Sequence, residues 1–144
     1  MRLVLGKDKS VAAWVAKRIP FADFAAFGPA TAIGVVDKTG KEMAGVVFHD
    51  YKPQFKTMQF SLAAETPRWV TRRLIGNLLS YPFDQVGVSK LWCVTNSGNE
   101  RCLRLAKGLG FTREAIMSHH FGKEHAVVMR MFARDFRRLY PKEN

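Results

Sequence analysis

Ser97-Gly98-Asn99-Glu100-Arg101-Cys102-Leu103-Arg104-Leu105-Ala106-Lys107-Gly108-Leu109-Gly110-Phe111 is the stretch on which the reading of this chain turns. Ser97 followed three residues later by Glu100 has the spacing of a capping box, in which a hydroxyl and a carboxylate satisfy N–H groups at a helix start. The spacing predicts a helix running to Lys107 and closed by Gly110, the residue type that most readily adopts the left-handed conformation at a helix end. Apolar, strand-like runs flank it. Val88 to Thr95 precedes the helix, and Phe111 to Ser118 follows, turning at Phe121-Gly122-Lys123-Glu124 into His125 to Phe132. A short basic helix to Tyr140 ends the pattern.

Toward the N-terminus, Val70, Leu74, Leu78, Ile75 and Leu79 fall on one face of a helix that ends near Tyr81-Pro82. Before it, Lys56 to Glu65 alternates apolar and polar residues with the period of a strand. Thr31 to Asp37 and Glu42 to Tyr51, rich in Val, Ile and Phe, form a hairpin around Asp37-Lys38-Thr39-Gly40. Leu3 to Leu5 is a short edge strand. Ser10 then precedes Val11, Trp14, Val15, Arg18 and Ile19 at helical spacing, with Pro20 as the stop. The element order is β-α-β-β-β-α-β-α-β-β.

The chain has 144 residues, 47% of them hydrophobic, enough for one core and too few for a second domain. No apolar run reaches the roughly 20 residues of a membrane span, and Leu3-Val4-Leu5 is too short for a signal-peptide core. A soluble cytoplasmic protein with no membrane partner is expected. Twenty-three Lys and Arg against twelve Asp and Glu give a net charge of +11. That excess implies a polyanionic partner: a phosphorylated cofactor, RNA, DNA or an acidic protein. The basic residues form no block, which argues against a disordered nucleic-acid tail. Cys93 and Cys102 lack further ligands at metal spacing and read as buried free thiols.

The element order resembles that of the GNAT acyltransferases over nearly the whole chain. Asn99 to Phe111 is similar to the family's N-x-x-A-x-x-L-Y-x-x-L-G-F helix, and Pro67 to Phe83 (P-R-W-V-T-R-R-L-I-G-N-L-L-S-Y-P-F) resembles the cofactor loop and helix of the RimJ/RimL-like branch, which has bacterial and phage members. The resemblance implies an α+β GNAT acyltransferase fold, a central mixed, mostly antiparallel sheet flanked by helices, as a single domain over 1–144. It implies an acetyl-CoA dependent N-acetyltransferase acting on a primary amine. Two positions depart from the family. The pyrophosphate loop has Val70-Thr71-Arg72-Arg73-Leu74-Ile75 where glycines are usual, and Ala106 stands where the family's acid, a tyrosine, is found.

By the same resemblance, the strand end Ala63-Ala64-Glu65 splays from Leu91–Val94 and binds pantetheine through its main chain, and Asn99 faces the pantetheine arm. A local helix-start hydrogen bond is the plainer role for Asn99. Thr71 is expected to cap the helix while Arg72 and Arg73 and the helix-start N–H groups face the pyrophosphate; a start at Thr66-Pro67 is the other possibility. Acetyl transfer needs a base to leave the amine neutral. Glu65 is the best-placed carboxylate, unless a salt bridge to Arg68 or Arg72 occupies it. His119 and His120 lie in the last hairpin, His120 being a catalytic candidate, and His49 is a weaker one. A zinc site from His119, His120 and His125 lacks thiols and a fourth ligand, so no metal is expected. The acceptor implied by branch and charge together is an amine on an acidic protein, a ribonucleoprotein or an aminoacylated RNA. The alternative is a GNAT-fold protein that binds nucleic acid or a protein partner with vestigial catalysis.

Overall fold

The computed structural model describes residues 1–19 and 27–142, and Pro20 lies outside them. Seven strands, β1 (Arg2–Val4), β2 (Ala30–Val36), β3 (Glu42–Lys52), β4 (Thr57–Ala64), β5 (Lys90–Asn96), β6 (Thr112–Phe121) and β7 (Glu124–Phe132), form one sheet in the order β1-β2-β3-β4-β5-β7-β6. Every neighbouring pair is antiparallel except β4 with β5. The helices are α1 (Asp8–Ala16), α2 (Arg72–Ser80), α3 (Glu100–Leu109) and α4 (Ala133–Leu139), and a wider π-helical turn over Tyr81–Val86 extends α2. The element order is the one the sequence implies.

Among the described residues, α1 is the helix on one face of the sheet. It approaches closely because Gly34 and Gly45 are paired opposite each other beneath it; a Cβ on Gly45 would lie 2.6 Å from Val15 Cγ2. Val11, Ala12, Val15 and Ala16 pack there on Ala32, Val47 and Ala63. The helix begins earlier than Ser10 implies. Asp8 opens its first turn, placing a carboxylate at the positive end of the helix dipole, and accepts from the Ala32 N–H at 2.9 Å. Ser10 is inside that turn, its hydroxyl donating to the Lys7 carbonyl.

The other face carries α2, α3 and α4 over the larger core, with Trp69, Phe48, Phe83, Ile75, Leu91 and Met131 fully buried and Phe83 stacked on Phe136 at 4.9 Å. Thr71 caps α2 as expected, accepting from the Leu74 N–H at 3.2 Å, so the Thr66-Pro67 start is not used. The capping box at the start of α3 is replaced. Asn99 is the cap, accepting from the Cys102 N–H, while the Ser97 hydroxyl accepts from the His125 N–H at 2.9 Å. Ser97 also donates its own N–H to the His125 carbonyl, so β7 takes this residue before the helix can. Gly110, at φ +107°, ends α3 as the sequence requires.

Candidate functional site

β4 and β5 are paired only from Thr57 to Gln59 and from Lys90 to Trp92. Beyond those residues β4 continues along β3 to Ala64, and β5 continues along β7 to Asn96, so the sheet splits between them. The direction of the exposed main chain follows from register. Glu65 donates its N–H to the Met43 carbonyl on β3. In an antiparallel ladder, alternate residues turn their N–H and C=O to the same neighbour. Ser61, Ala63 and Glu65 therefore face β3, whereas Phe60, Leu62 and Ala64 turn theirs into the gap. Of the strand end Ala63-Ala64-Glu65, only Ala64 presents its main chain to the splay.

The loop from the splay leads to the start of α2. The first-turn N–H groups of a helix have no partner within it, so those of Arg72 and Arg73 are available there. Between splay and helix lies Trp69, whose indole is buried and whose Nε1 has no hydrogen-bond acceptor among the described residues. The two arginines are not equivalent. The Arg72 guanidinium donates to the Leu139 carbonyl at the end of α4 and sits 5.6 Å from the centre of the Tyr140 ring. Arg73 is exposed and makes no ion pair among the described residues.

Asn99, at the opening of α3, spends its side-chain oxygen on the helix cap. Ala106 is buried in the three-helix core, and no hydroxyl occupies its place. Cys93 is buried and its thiol is pushed up to about 12 by that burial, which keeps it protonated; Cys102 is half-buried.

Glu65 has a partner other than the two considered from sequence. Arg18, just past α1, contacts its carboxylate at 2.8 Å while stacking over Trp14, 3.6 Å from the ring centre. That hydrogen bond holds the Glu65 carboxyl below the usual carboxylate range, which weakens it as a base. His120 is not brought near it. β6 is the edge strand, three positions from β4 in the sheet, and His120 lies exposed on it against Phe121. His119, at φ +55°, forms a bulge there, its N–H donating to His125 Nδ1 at 2.9 Å. Among the described residues no three His, Cys, Asp or Glu side chains come together as a metal site, and no helix is long and apolar enough to cross a membrane.

A histidine given little weight in the sequence is better placed. His49 of β3 and Ser61 of β4 share the α1 face, with Nε2 and Oγ 2.9 Å apart and the ring 5.3 Å from Phe27. Ser61 is two residues beyond Gln59, where pairing to β5 stops, so the pair stands at the mouth of the splay. Burial lowers the His49 pKa below its ordinary value, against a smaller opposing effect of Asp50. The ring is therefore neutral near pH 7 and able to accept a proton. Alternation puts His49 on the α1 face, but its approach to Ser61 depends on the register across the Lys52–Thr57 turn, where the ladder shifts.

The sequence matches no protein-family model and no curated protein. Solved structures do match. The spermidine/spermine N-acetyltransferase SpeG of Vibrio cholerae, in complex with manganese ions, is 13% identical, with 99% of this chain and 96% of that chain covered and a TM-score of 0.74. A chimera of the Vibrio cholerae spermidine N-acetyltransferase SpeG and hSSAT is 14% identical over 94% of this chain and 99% of that one, with a TM-score of 0.75. The chain has the GNAT fold. The α+β architecture, the mixed sheet and its flanking helices agree with that fold; β4 and β5 part beyond Gln59 and Trp92, so Leu91 and Trp92 are paired and only Cys93 and Val94 of the expected Leu91–Val94 stretch are unpaired with β4.

Proposed function

We propose that this protein transfers an acetyl group from acetyl-CoA to a primary amine. The observation that carries the reading is the split between β4 and β5, with unpaired main chain on one lip and a capped helix start beside it, in a fold shared with N-acetyltransferases. The main-chain groups of Phe60, Leu62 and Ala64 would hold the pantetheine arm as a strand partner would. The α2 N–H groups and Arg73 would hold the pyrophosphate, and Thr71 fixes that helix start. Arg72 is tied to α4 and contributes by locating the helix. Asn99 sets the start of α3, with its amide NH₂ left for the cofactor. The cofactor supplies an activated thioester.

His49, through the Ser61 hydroxyl, is the base this geometry favours: neutral, half-buried and at the mouth of the splay. Glu65, neutralised by Arg18, orders the end of α1 beside it. Ala106 leaves the departing thiolate to water. That position also favours the second reading, in which the fold binds acetyl-CoA and a macromolecular partner with little turnover.

A protein N-terminal amine or an amine carried on a polyanion suits the acceptor role, as the RimJ/RimL-like segment suggests. The structural neighbours are described as acting on spermidine, a small polycation that a surface of +11 repels. Mass spectrometry after incubation with acetyl-CoA and each acceptor tests this. Acetylation of a peptide α-amine in preference to spermidine is expected; faster transfer to spermidine would reassign the acceptor, and no transfer to any amine would leave the second reading.

A further inference from the structure

The net charge is unevenly placed. Residues 66–86, 99–110 and 133–142, which include α2, α3 and α4, carry ten Lys and Arg against three Asp and Glu; the rest of the chain carries thirteen against nine. The type of cation differs as well. Eight of those ten are Arg, whereas nine of the thirteen elsewhere are Lys. All three helices pack against the same face of the sheet, and they touch one another: Arg72 reaches the Leu139 carbonyl and the Tyr140 hydroxyl donates to the Leu109 carbonyl at 2.7 Å.

Arg101, Arg104 and Lys107 on α3 and Arg137 on α4 are exposed and have no carboxylate partner among the described residues. The ion pair of Arg138 with Asp135 is the one these helices contain there. Arginine presents a planar fork suited to phosphate oxygens and stacks on bases, so an arginine-rich, unneutralised surface fits a phosphate backbone.

An acidic protein would also answer the charge, but the surface lacks what a protein interface needs. Protein partners bind through buried apolar anchors, whereas nucleic-acid interfaces are polar and strongly positive. The large exposed apolar residues of the described chain are Met1, Leu5, Tyr51, Phe55, Ile116, Met117 and Phe121, and none belongs to α2, α3 or α4. We infer that the outer surface of α3 and α4 is a docking face for a nucleic-acid backbone, separate from the α1 face where the His49–Ser61 pair lies. This does not rest on acetyl transfer.

The test is fluorescence anisotropy with labelled 20-nucleotide RNA and DNA of one unstructured sequence, with polyglutamate as competitor. The parent should bind both or one of the oligonucleotides, the comparison showing whether the 2′-hydroxyl matters. Reversing three charges on the face (Arg104→Glu, Lys107→Glu, Arg137→Glu) should weaken binding at least about tenfold at 0.1 M salt and reduce the slope of log K against log salt by about two, as loss of three phosphate contacts requires. A control with the same net charge, Lys9→Glu, Lys17→Glu, Lys38→Glu, should lose much less. Saturating CoA should leave oligonucleotide binding in place. Equal losses in the two triple variants would reduce the effect to net charge, full displacement by CoA would make the face part of the cofactor site, and polyglutamate competing as well as unlabelled oligonucleotide would turn it into an acidic-protein site. Each of these results overturns the inference.

Discussion

Among the described residues, α1 lies on one side of the sheet over Gly34 and Gly45, beside Lys-rich turns and the His49–Ser61 and Arg18–Glu65 pairs; on the other, three Arg-bearing helices close over a core that includes Trp69. Among the described residues the buried clusters divide unequally, twenty residues on the three-helix side and eight on the α1 side. Buried apolar area scales with stabilisation at about 25 cal/mol per Å². Among the described residues the three-helix face therefore buries the more apolar surface, and the α1 face holds half-buried polar groups beside an open splay.

The largest effect should come from the three-helix side. Trp69→Ala should cost about 3–5 kcal/mol in denaturant melts, and the smaller Val15→Ala about 2 kcal/mol, because truncation in a closed core leaves a cavity. A greater loss at Val15 would reverse the division of labour.

Next in size is the rate. His49→Gln should reduce acetyl transfer on the order of 10²-fold, the usual worth of a positioned base, and abolish the acid limb of the rate profile. The sign follows from the lowered His49 pKa: the folded protein resists protonation, so the unfolded chain takes up the proton first as pH falls below the ordinary histidine value. Stability should then decline with acidification through that range and level off below the folded-state pKa, a decline His49→Gln would lack. Glu65→Gln should alter the rate far less, since Arg18 already holds the carboxylate in its weakly basic form. A larger rate loss at Glu65 than at His49 would restore Glu65 as the base.

The smallest of these effects concerns the seat of α1. Gly45→Ala places a methyl against Val15 and should cost about 1–3 kcal/mol, the usual range for overpacking. A neutral result would mean that the helix shifts freely over the sheet, and the splay geometry should then be insensitive to α1.

Much of the architecture was legible because apolar periodicity is local. Val70, Leu74 and Leu78 and the alternation from Lys56 to Glu65 fixed element type without reference to anything distant. Where a residue had competing partners, local pattern failed: Ser97 satisfies a capping-box spacing but is taken by His125 on β7, and Asn99 caps instead. The site was less legible for the same reason. Glu65 was placed correctly at the strand end, yet its partner, Arg18, is 47 residues away and Arg68 and Arg72 were the near choices. The two members of the Arg72-Arg73 pair, identical in the sequence, are separated only by a contact with the far end of the chain.

Whether acetyl-CoA lies along the unpaired lip of β4 is tested most directly by calorimetric titration of acetyl-CoA into the parent and an Ala64→Pro variant. The Ala64 N–H faces the splay and takes no part in the β3 ladder, so proline there would remove the proposed cofactor contact while a melting curve checks that the fold persists. Saturable binding to the parent, weakened roughly tenfold in Ala64→Pro by loss of about one hydrogen bond, is the result predicted. Absence of binding to the parent, or equal affinity in a folded Ala64→Pro protein, would contradict it.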